Sequence, residues 1–245
     1  MRPFRCSRPR AFTLVEVLGV IAIIAVLIGA LLPALKRARR NAHAANCLSN
    51  LRMLQAAQLQ YALDNKGWLI QAGFAHGASP ANEGVAWFNT LQSYYQNNLV
   101  ARCPSDDSIH FDQPVPGTNP PLKRRTSYGI NNFLDKDLCP WGGPYLRITQ
   151  VRSPAATIQF VEMARAGSFA AADHPHVENW DGSDPALHAP RNASNQLEIN
   201  AHGNRPKSFE SVANYGFLDG HAETLRFRDV YLSKQRNRFD PAIAQ

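Results

Sequence analysis

From Val17 to Leu35 the chain runs without a single charged residue, through Ile21-Ala22-Ile23-Ile24-Ala25-Val26-Leu27-Ile28 and on to Leu31-Leu32. As a helix rising about 1.5 Å per residue, such a run reaches across the roughly 30 Å of a bilayer's hydrocarbon. A removable signal is the plain alternative. Its apolar region is normally about 7–15 residues long and ends at small residues. Here the run is longer and passes into Lys36-Arg37-Ala38-Arg39-Arg40-Asn41-Ala42-His43, a good helix former with no break. The Ala44-Ala45-Asn46 sequence before Cys47 is too polar for a lipid-attachment site. The spacing therefore predicts a retained membrane helix.

Charge placement limits the partners. A formal charge of +7 invites a nucleic-acid reading. However, Arg2, Arg5, Arg8 and Arg10 all precede the apolar run, and removing them leaves +3. Lys36, Arg37, Arg39 and Arg40 follow it directly, where lipid headgroups attract basic side chains. The remainder has no basic excess, so no nucleic-acid partner is expected. With four basic residues on either side, charge bias does not orient the span.

Four cysteines stand at 6, 47, 103 and 139, none in CxxC spacing, which disfavours zinc-ribbon or thioredoxin-like chemistry. An exported chain can form one disulfide among the last three. Cys47–Cys103 is the favoured pairing, and the sequence alone does not choose among the three.

Glu16 is the anomaly. A carboxylate in an apolar span costs about 2.5–3.5 kcal/mol at mid-membrane and less near the interface. It either snorkels to the headgroups or meets a cation at membrane depth.

Arg10-Ala11-Phe12-Thr13-Leu14-Val15-Glu16 resembles the prepilin cleavage and methylation motif of type IV pilins and type II secretion pseudopilins. The resemblance implies a basic leader over 1–11 and a cut by a prepilin peptidase between Ala11 and Phe12. It further implies N-methylation of Phe12 by the same peptidase/methyltransferase. Ala11 stands where the family usually has glycine. Glu16 takes the family's acidic position, and Pro33 falls where these proteins commonly place a helix-bending proline. The α-amine of Phe12 in an incoming subunit would then neutralise Glu16 of its neighbour, so that only the correct axial offset satisfies both. The partners implied are the peptidase, other pilin or pseudopilin subunits, and inner-membrane lipid. The resemblance also orients the chain, with the N-terminus cytoplasmic and the body periplasmic.

Beyond the membrane segment at 12–35, residues 36–66 read as an amphipathic continuation. Cys47, Leu48, Leu51, Leu54, Gln58, Tyr61 and Ala62 recur at three and four, and Asn65-Lys66-Gly67 signals a stop. A β-rich body is expected over 67–245. A short helix is expected near 87–95, with strands at 127–130 and 157–162. The terminal hairpin pairs 212–218 with 221–227 about a two-residue Asp219-Gly220 turn. The expected fold is α+β and pilin-like, one long N-terminal helix packed on an antiparallel sheet with long outer loops.

A second resemblance runs along the body. Cys47-Leu48-Ser49-Asn50-Leu51, Cys103-Pro104-Ser105-Asp106, Tyr128-Gly129-Ile130-Asn131 and Phe217-Leu218-Asp219-Gly220-His221 are similar, in order, to landmarks of pilin-like proteins with an H-x9-DG C-terminal region, of the planctomycete and verrucomicrobial type. In this chain sixteen residues, not nine, separate His202 from Asp219.

Imidazoles and carboxylates gather from Asp173 to His188. Asp181, Asp184 and Asp219 are suitable hard ligands for calcium, which pseudopilins as a class use in C-terminal loops. The plainer reading is a polar surface loop, since no spacing matches an established metal motif. No Walker loop, GxSxG elbow or Rossmann fingerprint appears, and the expected function is assembly rather than catalysis. The competing class is a membrane-anchored glycan- or metal-binding module or enzyme.

Overall fold

The computed structural model describes residues 14–74, 82, 84–95, 98–139 and 145–245. The expected leader and the Ala11–Phe12 junction lie outside them. The chain divides after Asn41 into two compact units, the second being Ala42–Gln245.

Helix α1 spans Leu14–Asp64 without interruption and includes Pro33. Its two parts have different surroundings. From residue 14 to residue 42 every position is exposed, apolar ones included. Apolar character around the whole circumference, rather than on one stripe, is the pattern of a helix that belongs in lipid or in a protein core. Length and composition suffice for it to cross a membrane. From Cys47 onward one face is buried, through Leu51, Leu54, Gln55, Ala57, Gln58 and Ala62. The helix ends as its stop signal predicts. Lys66 takes a left-handed φ of 56°, and the Gly67 amide reaches back to the Ala62 carbonyl at 2.7 Å.

Two short helices follow, α2 (Trp87–Thr90) and α3 (Gln92–Tyr95), within the segment expected to be helical. Four antiparallel strands make the sheet, in the order β1 (Tyr128–Ile130), β2 (Ile158–Glu162), β3 (Val212–Phe217) and β4 (Ala222–Arg226). Between β2 and β3, Ile158 faces Phe217 while Phe160 faces Gly216, so β2 carries one extra residue there. Such a bulge re-aims side chains. It fits the assignment of Phe160 to one core cluster and of Ile158 and Val161 to another.

The sheet is covered on both faces. One cluster joins Cys47, Leu51 and Leu54 of α1 to Trp87, Tyr128, Ile130 and Phe160. On this side Asn214 of β3 donates to the Ala44 carbonyl at 3.1 Å, and Gly216 leaves room for Gln55. The odd-numbered positions of β3, Ala213, Tyr215 and Phe217, enter the second cluster with Trp180, Phe227, Tyr231 and Phe239.

That second layer departs from the expected outer loops. It contains helix α4 (Pro185–Ala193) and a small hairpin of β5 (Tyr231–Ser233) with β6 (Arg236–Asn237). Trp180 is fully buried, with ring centroids 5.0 Å from Tyr231 and 5.1 Å from Phe239. The first part of the polar stretch, Asp173 to Pro175 with Val177, Trp180 and Asp181, is therefore buried, while residues 182–184, 186 and 187 stay exposed.

The hairpin between β3 and β4 also differs in detail. The Phe217 amide donates to the His221 carbonyl at 2.8 Å, leaving Leu218, Asp219 and Gly220 as the loop. Gly220 donates back to the Phe217 carbonyl and has a φ of 108°, the pattern of a three-residue loop whose glycine absorbs the positive φ.

Candidate functional site

On α1, Glu16 lies in the first turn, where the positive end of the helix dipole favours a carboxylate. Its neighbours Val15 and Val17 are exposed. Pro33 has no amide hydrogen, so the Gly29 carbonyl four residues back gets no intrahelical donor from it. A Cβ built on Gly29 meets nothing within 4 Å. Gly29 and Pro33 thus stand one turn apart at a missing hydrogen bond, inside a helix that nevertheless continues. Ala11 and Phe12, the expected processing residues, lie outside the described residues.

Asp181, Asp184 and Asp219 are each engaged by the chain itself. The Tyr231 hydroxyl donates to Asp181 at 2.6 Å, and the Lys234 amide donates to its other oxygen at 3.0 Å. Asp184 caps α4 by accepting from the Ala186 amide at 2.9 Å. Asp219 holds the hairpin loop, accepting from the His221 amide at 3.1 Å and pairing with its imidazole at 2.5 Å. The neighbouring histidines are similarly placed. His174 pairs with buried Asp173 at 3.0 Å, and His176 with Glu178 at 2.9 Å. Burial pushes the Glu178 carboxyl up, but hydrogen bonds from His176, from its own backbone and from Asn132 outweigh it and leave the pKa below the ordinary value.

The side chains that do converge come from four distant places. Cys47 of α1 is joined by a disulfide to Cys103, with 4.9 Å between their Cα atoms; Cys139 lies outside this bond. Glu162 ends β2, and its carboxylate pairs with Nε2 of His202 at 3.0 Å, both side chains almost wholly buried at 4% and 2% exposure. Its second oxygen accepts from the Asn214 amide at 3.2 Å. Ligand atoms of Cys47, Cys103, Glu162 and His202 all lie within 4.8 Å of one another. Among the described residues this close grouping includes none of Asp181, Asp184 and Asp219.

Beside the cluster runs a buried ionic network. Arg124 donates through Nε and Nη2 to Asp106, at 2.8 and 2.6 Å, and through Nη1 to the Ala164 and Ala170 carbonyls. The Ser127 hydroxyl donates to the same carboxylate at 2.6 Å, while its oxygen accepts from the Cys103 amide at 2.9 Å. Burial lowers the Arg124 pKa, and the adjacent Asp106 carboxylate opposes that shift. Burial raises the Glu198 carboxyl, which Arg165 partly counters at 3.8 Å. Cys47 and Cys103 each stand in a landmark singled out from the sequence, and His202 is the histidine whose spacing to Asp219 departs from the H-x9-DG pattern. Their meeting at Glu162 had no local signal, since Cys47 and His202 lie 155 positions apart.

Residues 6–32 match the prokaryotic N-terminal methylation motif family. No curated protein and no solved structure matches the chain. The match covers Arg8 and Arg10 of the basic segment, Glu16 and most of the apolar part of α1, and the body behind it packs the rest of α1 on a four-stranded antiparallel sheet. This is a membrane-anchored chain with a prepilin-type methylation motif ahead of a pilin-like fold.

Proposed function

We propose that this protein is a structural subunit of a helical filament, a type II secretion pseudopilus or a type IV pilus-like fibre. A prepilin peptidase cuts between Ala11 and Phe12 on the cytoplasmic side, and the new Phe12 amine is methylated. The segment beginning at Phe12 holds the subunit in the inner membrane, with the body in the periplasm, until assembly. Contacts between unlike surfaces of successive subunits then generate an open helical polymer.

The observation that carries this reading is the methylation-motif match over residues 6–32, on a helix whose apolar residues are exposed all round from residue 14 to residue 42. Copies of such a helix can bury these surfaces against one another when they leave lipid. Glu16 supplies the register, because its charge is best satisfied by the Phe12 amine of the next subunit. The disulfide fits a body folded in an oxidising compartment.

The test joins two measurements. Mass spectrometry of the mature protein should find N-methylphenylalanine at Phe12. Glu16→Ala should leave expression and membrane insertion unchanged while reducing incorporation into sheared filaments at least tenfold. Mature protein that retains Met1, or filaments of normal yield from Glu16→Ala, would refute the reading.

A further inference from the structure

Four side chains of metal-ligating type meet in the body, and the filament reading uses them only through the Cys47–Cys103 disulfide. They are Cys47 from α1, Cys103 from the loop after α3, Glu162 from the end of β2 and His202 from the loop before β3. We propose that Cys47, Cys103, Glu162 and His202 form a redox-gated site for a divalent zinc-like ion, closed while the two sulfurs are bonded and opened when they are reduced.

The donor set is borderline-soft, two sulfurs with one imidazole and one carboxylate, which suits zinc rather than calcium or magnesium. Four ligands at about 2.0–2.3 Å from a tetrahedral zinc lie roughly 3.3–3.8 Å from one another. The ligand atoms here are already within 4.8 Å. Opening the disulfide moves the sulfurs apart, toward that spacing, whereas His202 and Glu162 stand at 3.0 Å and need only separate slightly to admit an ion between them. A cavity of about 10 Å³ lies against the cluster, lined in part by Cys103, Glu162 and Arg165. That is close to the volume one water occupies by the same measure, so a small ion needs little rearrangement. Two thiolates and a carboxylate around a divalent cation carry one net negative charge; Arg165 lies in the cavity wall, shared with Asp107 at 3.0 Å and Glu198 at 3.8 Å.

The chemistry balances. A dithiol reductant delivers two electrons and two protons to the Cys47–Cys103 disulfide and is itself oxidised to a disulfide. The two thiols then lose their protons as the ion binds, so about two protons leave per ion. Either state ties α1 to the loop carrying Cys103, by a sulfur–sulfur bond in one and through the ion in the other. The body keeps this tether in both oxidising and reducing surroundings.

Cobalt(II) reports tetrahedral sulfur ligation directly. The full chain in detergent, with Cys6→Ser and Cys139→Ser to remove other thiols, is reduced with dithiothreitol, freed of reductant under argon and titrated with cobalt. One equivalent should produce thiolate-to-cobalt charge transfer in the near ultraviolet and tetrahedral d–d bands in the visible, both bleached by zinc. The oxidised protein and the Cys103→Ser variant should show neither. His202→Ala and Glu162→Gln should each weaken binding about 10–100-fold, with circular dichroism establishing that these variants stay folded. Reduced protein that binds no cobalt, folded or not, overturns the proposal. So does a cobalt spectrum of unchanged affinity in the folded His202→Ala and Glu162→Gln variants, which would mean ligation by the sulfurs alone.

Discussion

Charge drawn out of water in this body is handled by two different means, and Glu198, partly buried with 26% of its side chain exposed, shows the less favourable one. Asp106 and Arg124, with side chains 3% and 1% exposed, satisfy each other through a forked contact and recruit Ser127 and three carbonyls. Removing one partner of such a pair strands the other, which is why the pair matters more than its net contribution suggests. Glu198 has weaker compensation. Burial holds its pKa above the ordinary carboxylate value, ahead of attraction to Arg165 and repulsion from Glu162 and Asp106. The folded state thus keeps this proton to higher pH than the unfolded chain does. The contribution of Glu198 to stability falls as pH rises from the ordinary carboxylate value through the raised one. Glu178, with its pKa lowered, has the opposite sign and loses its contribution as pH falls. Glu198→Gln is therefore expected to raise the thermal midpoint near neutral pH and to flatten the decline between acid and neutral conditions. Melts of both proteins across that range decide it, and an unchanged slope would mean that the carboxyl titrates alike in both states.

At the scale of elements, local pattern was legible and long-range cover was not. The strands near 128, 158 and 212 follow from β-branched and aromatic runs bounded by turn residues, and the end of α1 follows from Asn65-Lys66-Gly67. The second layer did not, because the run from Asp173 to His188 reads as a polar loop. One signal there was available: Asp184-Pro185 is a helix start, with Asp184 as cap and Pro185 in the first turn, and α4 begins there. The aromatic cluster around Trp180 had no such marker, since Phe227, Tyr231 and Phe239 reach it only through tertiary folding. The same limit hid the meeting of Glu162 with His202. Even the hairpin, whose Asp-Gly signal was strong, closes through three loop residues rather than two. Gly220 bears the difference, with a φ of 108° that side chains rarely adopt and only 2.8 Å between a Cβ there and the Leu59 Cδ1 atom. Gly220→Ala is expected to lower stability by about 1–3 kcal/mol. Gly84→Ala is the control, since among the described residues a Cβ there meets only Asn82 Oδ1 at 3.5 Å, an ordinary contact, and its denaturation midpoint should barely move.

For the whole molecule, the division after Asn41 has a thermodynamic meaning. Residues 14–42 of α1 are exposed throughout, and the buried face of the helix begins at Cys47. Every residue of the two large core clusters belongs to the unit from Ala42 onward, as do the disulfide and the Asn214–Ala44 hydrogen bond. Apolar burial is the main favourable term in folding, so a segment that buries nothing adds little to it. The body should therefore fold without the membrane segment. A chain of residues 42–245, oxidised, is expected to be soluble without detergent and to melt cooperatively. Its Cys47–Cys103 bond closes a loop over a separation of 56 residues, which chain entropy values at about 4 kcal/mol, and reduction should lower its midpoint accordingly. Near-ultraviolet circular dichroism and thermal melts check this. A truncated body with native helix content but no fixed aromatic signal would mean that residues before Ala42 help to order the core, and that the exposed apolar helix has a structural duty besides holding the protein in lipid.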